Sequence, residues 1–83
     1  MTHAFERVLI TGAGSGLGLA LAHRFARDGA RVACVDVRSD RVEAAVQALP
    51  GAGHLALVAD VADDAQMDAL RDRILAEWGG LDV

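Results

Sequence analysis

Apolar and polar positions along the chain alternate between two periods. Residues 7–11, Arg-Val-Leu-Ile-Thr, form a short, β-branched apolar run that ends at a glycine. Such a run predicts a strand buried on both faces. From Leu17 to Asp28 the period becomes helical. Leu17, Leu21 and Phe25 recur at i, i+4 and i+8, with Ala20, Ala22 and Ala26 beside them. His23, Arg24, Arg27 and Asp28 supply the polar side, and Gly29 is a stop signal. Arg31–Val37 predicts a second buried strand. Ser39 or Asp40 can cap the next helix, and Asp40 with Glu43 has capping-box spacing. That helix carries Val42, Ala45, Val46 and Leu49 on one face and ends at Pro50-Gly51. His54–Val61 predicts a third strand. Asp63 and Gln66 are a cap-like pair ahead of a helix over Ala65–Trp78, striped by Met67, Leu70, Ile74 and Trp78. Gly79-Gly80 stops it, and Leu81-Asp82-Val83 reads as the start of a fourth strand.

This βαβαβα order predicts an α/β fold, with a parallel sheet, right-handed crossovers and helices on its faces. No linker or low-complexity tract divides it, so 1–83 is one domain at most. A hydrophobic share of 53% and a charged share of 24% place the chain among globular sequences. The net charge is −4 and all eight bases are Arg, without a basic run, which makes nucleic acid and anionic membrane poor partners. No apolar run approaches the roughly 20 residues of a membrane span, and the N-terminus lacks a signal-peptide pattern. Cys34 is the one cysteine, which excludes an internal disulfide and a Cys-cluster metal site. Inside Val-Ala-Cys-Val-Asp-Val it reads as a small core residue. A cytoplasmic setting is expected. His3, His23 and His54 show no metal spacing and read as surface or strand-edge residues. Asp63-Asp64 reads as a helix start, and Trp78 and Met67 as core.

Between the first strand and the first helix stand Gly12, Gly14, Gly16 and Gly18. A helix N-terminus after a glycine loop offers unpaired N–H groups and the positive end of the dipole to a phosphate. A P-loop needs Lys, and the chain has none. G-x-G-x-x-G fails whether begun at Gly12 or at Gly14, because Leu17 or Leu19 stands where glycine is required. T-G-x-x-G-x-x-G fails at Ser15.

Thr11-Gly12-Ala13-Gly14-Ser15-Gly16-Leu17-Gly18 fits T-G-x-x-x-G-x-G. In this the chain resembles the classical short-chain dehydrogenase/reductase family over essentially its whole length, which is about the first third of an ordinary member. The resemblance implies the N-terminal half of a doubly wound, Rossmann-type parallel sheet with strand order 3-2-1, ending at the start of strand 4. It implies that Gly12 makes the turn, Gly16 lets the backbone reach a pyrophosphate and Gly18 lets the helix lie close on the sheet. Gly14 falls outside the fixed positions and adds clearance. Asp36, at the end of the second strand, would accept hydrogen bonds from the adenosine ribose hydroxyls and repel the 2′-phosphate of NADP. Family members that prefer NADP often carry a base in the loop or just after the acidic position. Here those positions hold Ser15 and Val37, so NAD is the expected cofactor and NADP the less favoured one. Arg38 would soften that preference if it turned toward a phosphate. Asp60-Val61 would meet the adenine ring.

The family's chemistry moves hydride between the nicotinamide and an alcohol or carbonyl carbon, using Tyr, Lys, Ser and Asn. The chain has no Tyr, Lys or Asn, and its serines are Ser15 and Ser39. No residue takes a catalytic role by resemblance. The first strand would also stand at a bare sheet edge. The leading expectation is therefore the cofactor-binding portion of a larger oxidoreductase, itself inactive, whose parent acts on a small alcohol or carbonyl compound and forms a homo-oligomer. The alternative is a non-catalytic nucleotide-binding or assembly module that dimerises through the first strand.

Overall fold

The computed structural model describes residues 7–14 and 16–82. Three parallel strands form one sheet in the order β1-β2-β3. They are β1 (Arg7–Thr11), β2 (Arg31–Asp36) and β3 (Leu55–Val58). The helices are α1 (Gly16–Arg27), α2 (Ser39–Ala48) and α3 (Asp64–Trp78). In the ladder, Arg7 lies opposite Arg31 and Thr11 opposite Val35, while Ala33 lies opposite Leu55 and Asp36 opposite Val58.

Only β2 is buried on both faces, along Val32–Val35; β1, expected to be buried on both, buries Val8 and Ile10 on one face while Leu9 on the other is half-buried. Val8, Ile10, Val32 and Cys34 pack with Ala22 and Ala26 of α1 and with Val42 and Leu49 of the α2 segment. Ala33, Val35 and Leu57 pack on the other face with Leu70 and Ile74 of α3. Met67 and Trp78 complete the α3 stripe as expected, half-buried against that cluster. Cys34 is fully buried in the core.

Four local expectations change. Helix α1 does not face the sheet with its leucines: Leu17 is 76% exposed and Leu21 42%. Its buried positions are Ala22 and Ala26, which continue the i, i+4 row begun by Gly18. The helix lies so close to the sheet that only small residues fit that row. The second helix has no capping box. Arg38 is its N-cap and makes no side-chain cap bond. The Asp40 carboxylate turns instead to the Arg38 guanidinium at 3.3 Å. β3 is shorter than His54–Val61. Its ladder ends where the Ala59 N–H donates to Asp36 O, and the chain then turns, with the Asp63 N–H donating to Asp60 O. The second strand stops at Asp36, with Val37 already turned out and 62% exposed.

Other signals hold. Asp63 caps α3 by accepting from the Gln66 N–H at 3.0 Å. Gly79 takes the left-handed C-cap conformation at φ 75°. The expected start of a fourth strand at Leu81-Asp82 does not form among the described residues, although the Asp82 N–H donates to Arg7 O at 2.9 Å alongside β1. His3 and Val83 lie outside the described residues. His54 sits just ahead of β3, where its Nδ1 accepts from the Val32 N–H at 3.0 Å.

Candidate functional site

The loop after β1 is fastened to the end of β2 by two successive amides. The Ala13 N–H donates to Val35 O at 3.1 Å, and the Gly14 N–H donates to Asp36 Oδ2 at 3.1 Å. Ala13 is fully buried. The loop therefore lies across the carboxyl end of the sheet rather than swinging free.

Two kinds of glycine make this path possible. Gly12 and Gly16 have φ of 65° and 60°, and nothing stands within 4 Å of where a Cβ would be. At both, the requirement is the backbone conformation. Gly18 and Gly14 are needed for space. A Cβ on Gly18 would stand on the Gly12 carbonyl oxygen, 2.8 Å from its carbon. A Cβ on Gly14 would come within 2.7 Å of both Asp36 Oδ2 and Arg41 Cβ. Gly14 thus does more than add clearance: it admits the Asp36 carboxylate to the loop. Ser15 lies outside the described residues.

Asp36 is half-buried and uses both carboxylate oxygens. Oδ2 takes the Gly14 amide, and Oδ1 accepts from the N–H groups of Val37 at 2.7 Å and Arg38 at 3.4 Å. The second contact closes a turn of the kind aspartate makes with the amide two residues on. Asp60 is held similarly. Its N–H donates to Gln66 Oε1 at 2.8 Å and its Oδ1 accepts from the Ala62 N–H at 2.9 Å.

An open cleft of about 230 Å³ lies between these turns, bordered by Gly12, Asp36, Val37, Asp60 and Val61 over a floor that includes Val35 and Ala59. That is below the roughly 300–1,000 Å³ of a whole small-molecule site, so it suits one end of an extended ligand. Five of the expected residues meet in it. Gly14 reaches it through Asp36, and Gly16, Leu17 and Gly18 stand apart, at the start of α1. The sequence reading missed Gln66, which holds the Asp60 turn. Its signal was visible as the partner of Asp63 in the α3 cap.

The electrostatics favour an anion at one place. Of the three helices, α1 alone has no acidic residue in its first turn; α2 has Asp40 and α3 has Asp64. The positive end of its dipole is left uncompensated by its own residues. A ligand that spans this end and the cleft would pair an anion with α1 and hydroxyl donors with the Asp36 carboxylate.

Comparison with known proteins agrees with this layout. A family model described as short chain dehydrogenase matches residues 6–83. The D-threitol dehydrogenase of Mycolicibacterium smegmatis is 42% identical over 77 residues, covering 90% of this chain and 30% of that protein. The levodione reductase of Leifsonia aquatica is 46% identical over 79 residues, with the same two coverages. Among solved structures, the 3-ketoacyl-(acyl-carrier-protein) reductase of Brucella melitensis complexed with NADH superposes with a TM-score of 0.87. It is 39% identical, over 93% of this chain and 31% of that one. The chain thus spans about 30% of the length of these relatives. Glycine loop, parallel sheet and matched sequence together place the chain in the short-chain dehydrogenase family.

Proposed function

We propose that this chain supplies the NAD-binding portion of a short-chain oxidoreductase. The reaction is hydride transfer between the nicotinamide and a small alcohol or carbonyl substrate, with the acid–base groups contributed from outside residues 1–83. The observation that carries the reading is the Asp36 carboxylate, fixed by the Gly14 amide at the mouth of the cleft.

The residues present fit a dinucleotide. Gly18, which excludes any side chain, keeps α1 against the loop, so that the amides of its first turn face a pyrophosphate. Gly12 and Gly16 shape that path. Leu17, exposed in the first turn of α1, would flank the bound phosphates. Asp36 accepts from the ribose hydroxyls, and its charge opposes a 2′-phosphate. The Val37, Asp60 and Val61 walls hold the adenine. When bound, the cofactor supplies the hydride acceptor or donor; the chain's own part is to bind and orient it. A cytoplasmic homo-oligomer is the setting we infer. Among the described residues, no helix is long and apolar enough to cross a membrane.

Asp36→Ala tests the reading by calorimetric titration. NAD binding weakens and the preference for NAD over NADP narrows. Unchanged affinity for both cofactors removes Asp36 from the site.

A second reading, an assembly module that pairs through β1, is favoured by an apolar groove of about 290 Å³ beside that strand, lined by Leu9, Leu70, Ile74, Leu75 and Leu81. It requires a dimer in solution, and a monomeric mass at high concentration excludes it.

A further inference from the structure

We propose that Asp40 is a specificity-determining residue of this site, which withholds the Arg38 guanidinium from the 2′-phosphate of NADP. The inference rests on the dinucleotide reading above and deepens it.

The turn that Asp36 closes delivers Arg38 to the site. Oδ1 of Asp36 holds the Arg38 N–H at 3.4 Å, so Arg38 stands two residues from the carboxylate assigned to the ribose. It is also the N-cap of α2, where the helix dipole adds to its positive charge. An arginine fork at such a point is suited to a phosphate. Left open, it would draw NADP in and offset the repulsion from Asp36.

The fork is not open. Arg38 Nε donates to Asp40 Oδ1 at 3.3 Å and Nη2 donates to Asp40 Oδ2 at 3.3 Å, a two-pronged pair within one turn of chain. Slight burial acts to raise the Asp40 pKa. The hydrogen bond and charge of Arg38, with the N–H groups of Arg41 and of Asp40 itself, outweigh it and hold the carboxyl below its usual 3.8. Asp40 is ionised at neutral pH, as an aspartate ordinarily is, and the closed fork rests on the two 3.3 Å contacts. Asp40 also brings a second negative charge to the turn that already carries Asp36. The two aspartates act differently: Asp36 repels the extra phosphate, and Asp40 occupies the base that would accept it.

The pair is exposed, with 57% and 68% of the two side chains accessible. Exposed pairs are weak, and the expected effect is correspondingly a change of about two- to five-fold. Calorimetric titration of NAD and NADP measures it. Asp40→Asn raises NADP affinity relative to NAD by that factor, while Asp40→Glu, which still reaches Arg38, keeps the parent ratio. Adding Arg38→Ala to Asp40→Asn abolishes the gain. Loss of α2 stability alone would weaken both cofactors together and leave the ratio unmoved. The inference is overturned by an unchanged ratio in Asp40→Asn, or by a gain that persists without Arg38. That second outcome would mean that Asp40 acts only through its own charge. If the parent protein binds neither cofactor, the dinucleotide reading itself falls, and the role of Asp40 falls with it. That outcome is told apart by the absence of any binding to shift.

Discussion

Arg7 and Asp82 hold each other from both backbone and side chain. The Arg7 N–H donates to Asp82 Oδ2 at 2.8 Å, and the Asp82 N–H donates to Arg7 O at 2.9 Å. The Arg7 guanidinium adds contacts of 3.4 Å to both carboxylate oxygens and one of 3.3 Å to Trp78 O. The segment after α3 is thereby tied to the start of β1. Asp82→Ala removes the side-chain half of this tie and is expected to cost about 0.5–1.5 kcal/mol, the ordinary worth of a hydrogen bond that water can partly replace. Urea unfolding of the protein and the variant measures it. Arg7→Ala keeps the 2.8 Å bond from the Arg7 backbone N–H and loses only the guanidinium contacts to Asp82 and Trp78 O, so its cost should be no larger.

Gly18→Ala and Gly16→Ala separate the two uses of glycine in the loop. The added methyl at Gly18 meets the Gly12 carbonyl, a backbone group that cannot step aside. The change should destabilise by about 1–3 kcal/mol and lower cofactor affinity by displacing the loop. At Gly16 nothing obstructs the methyl, and only the positive φ opposes it, at about 1–2 kcal/mol. Thermal unfolding together with cofactor titration measures both: each variant loses stability and cofactor affinity, the first by obstructing the loop and the second by straining the φ that shapes its path.

Cys34 is fully buried, and burial pushes its thiol up to about 11 from an ordinary 9.0. At pH 7–8 it is a protonated thiol, and alkylation of the folded protein should be slow and track unfolding. A raised acid pKa means that the folded state prefers the neutral form. The associated stability, on the order of 2–3 kcal/mol, is present below about pH 9 and lost as pH rises toward 11. Urea midpoints measured from pH 7 to 10.5 should fall over that window, and the fall should be smaller in Cys34→Ala.

His54 ties β2 to the turn between α2 and β3 through its side chain. Nδ1 accepts from Val32, and Nε2 lies 2.7 Å from Pro50 O, so the ring carries its proton on Nε2. His54→Ala leaves the amide of the fully buried Val32 without this partner, at an expected cost of about 1–3 kcal/mol. Hydrogen exchange at the Val32 amide should accelerate more than at Cys34.

Much of the fold was legible because buried parallel strands and striped helices leave strong periodic traces. Arg7–Thr11 and the Met67, Leu70, Ile74, Trp78 stripe emerge where the pattern placed them. The face of α1 was not legible. Leucine at helical spacing ordinarily marks the buried side, but here the separation between helix and sheet decides, and Gly18 sets that separation across the loop. The α2 cap failed for a related reason. Asp40 and Glu43 have the right spacing, but a neighbouring guanidinium competes for the carboxylate, and spacing alone cannot rank the two partners. The glycine pattern marked the candidate site, yet the bond from Gly14 to Asp36 spans 22 residues and depends on the β1–β2 register.

The stack of Arg31 over Trp78, 5.5 Å from the guanidinium carbon to the ring centre, has a practical consequence. Trp78 is the chain's one tryptophan and therefore its one strong intrinsic fluorophore. Arg31 begins β2 and Asp36 ends it, which separates the stack from the cleft by about 17 Å of strand. A ligand seated in the cleft does not touch the indole. With the oxidised dinucleotide, and after correction for its own absorption, a change in Trp78 emission would therefore report a rearrangement carried along β2 and not a direct contact.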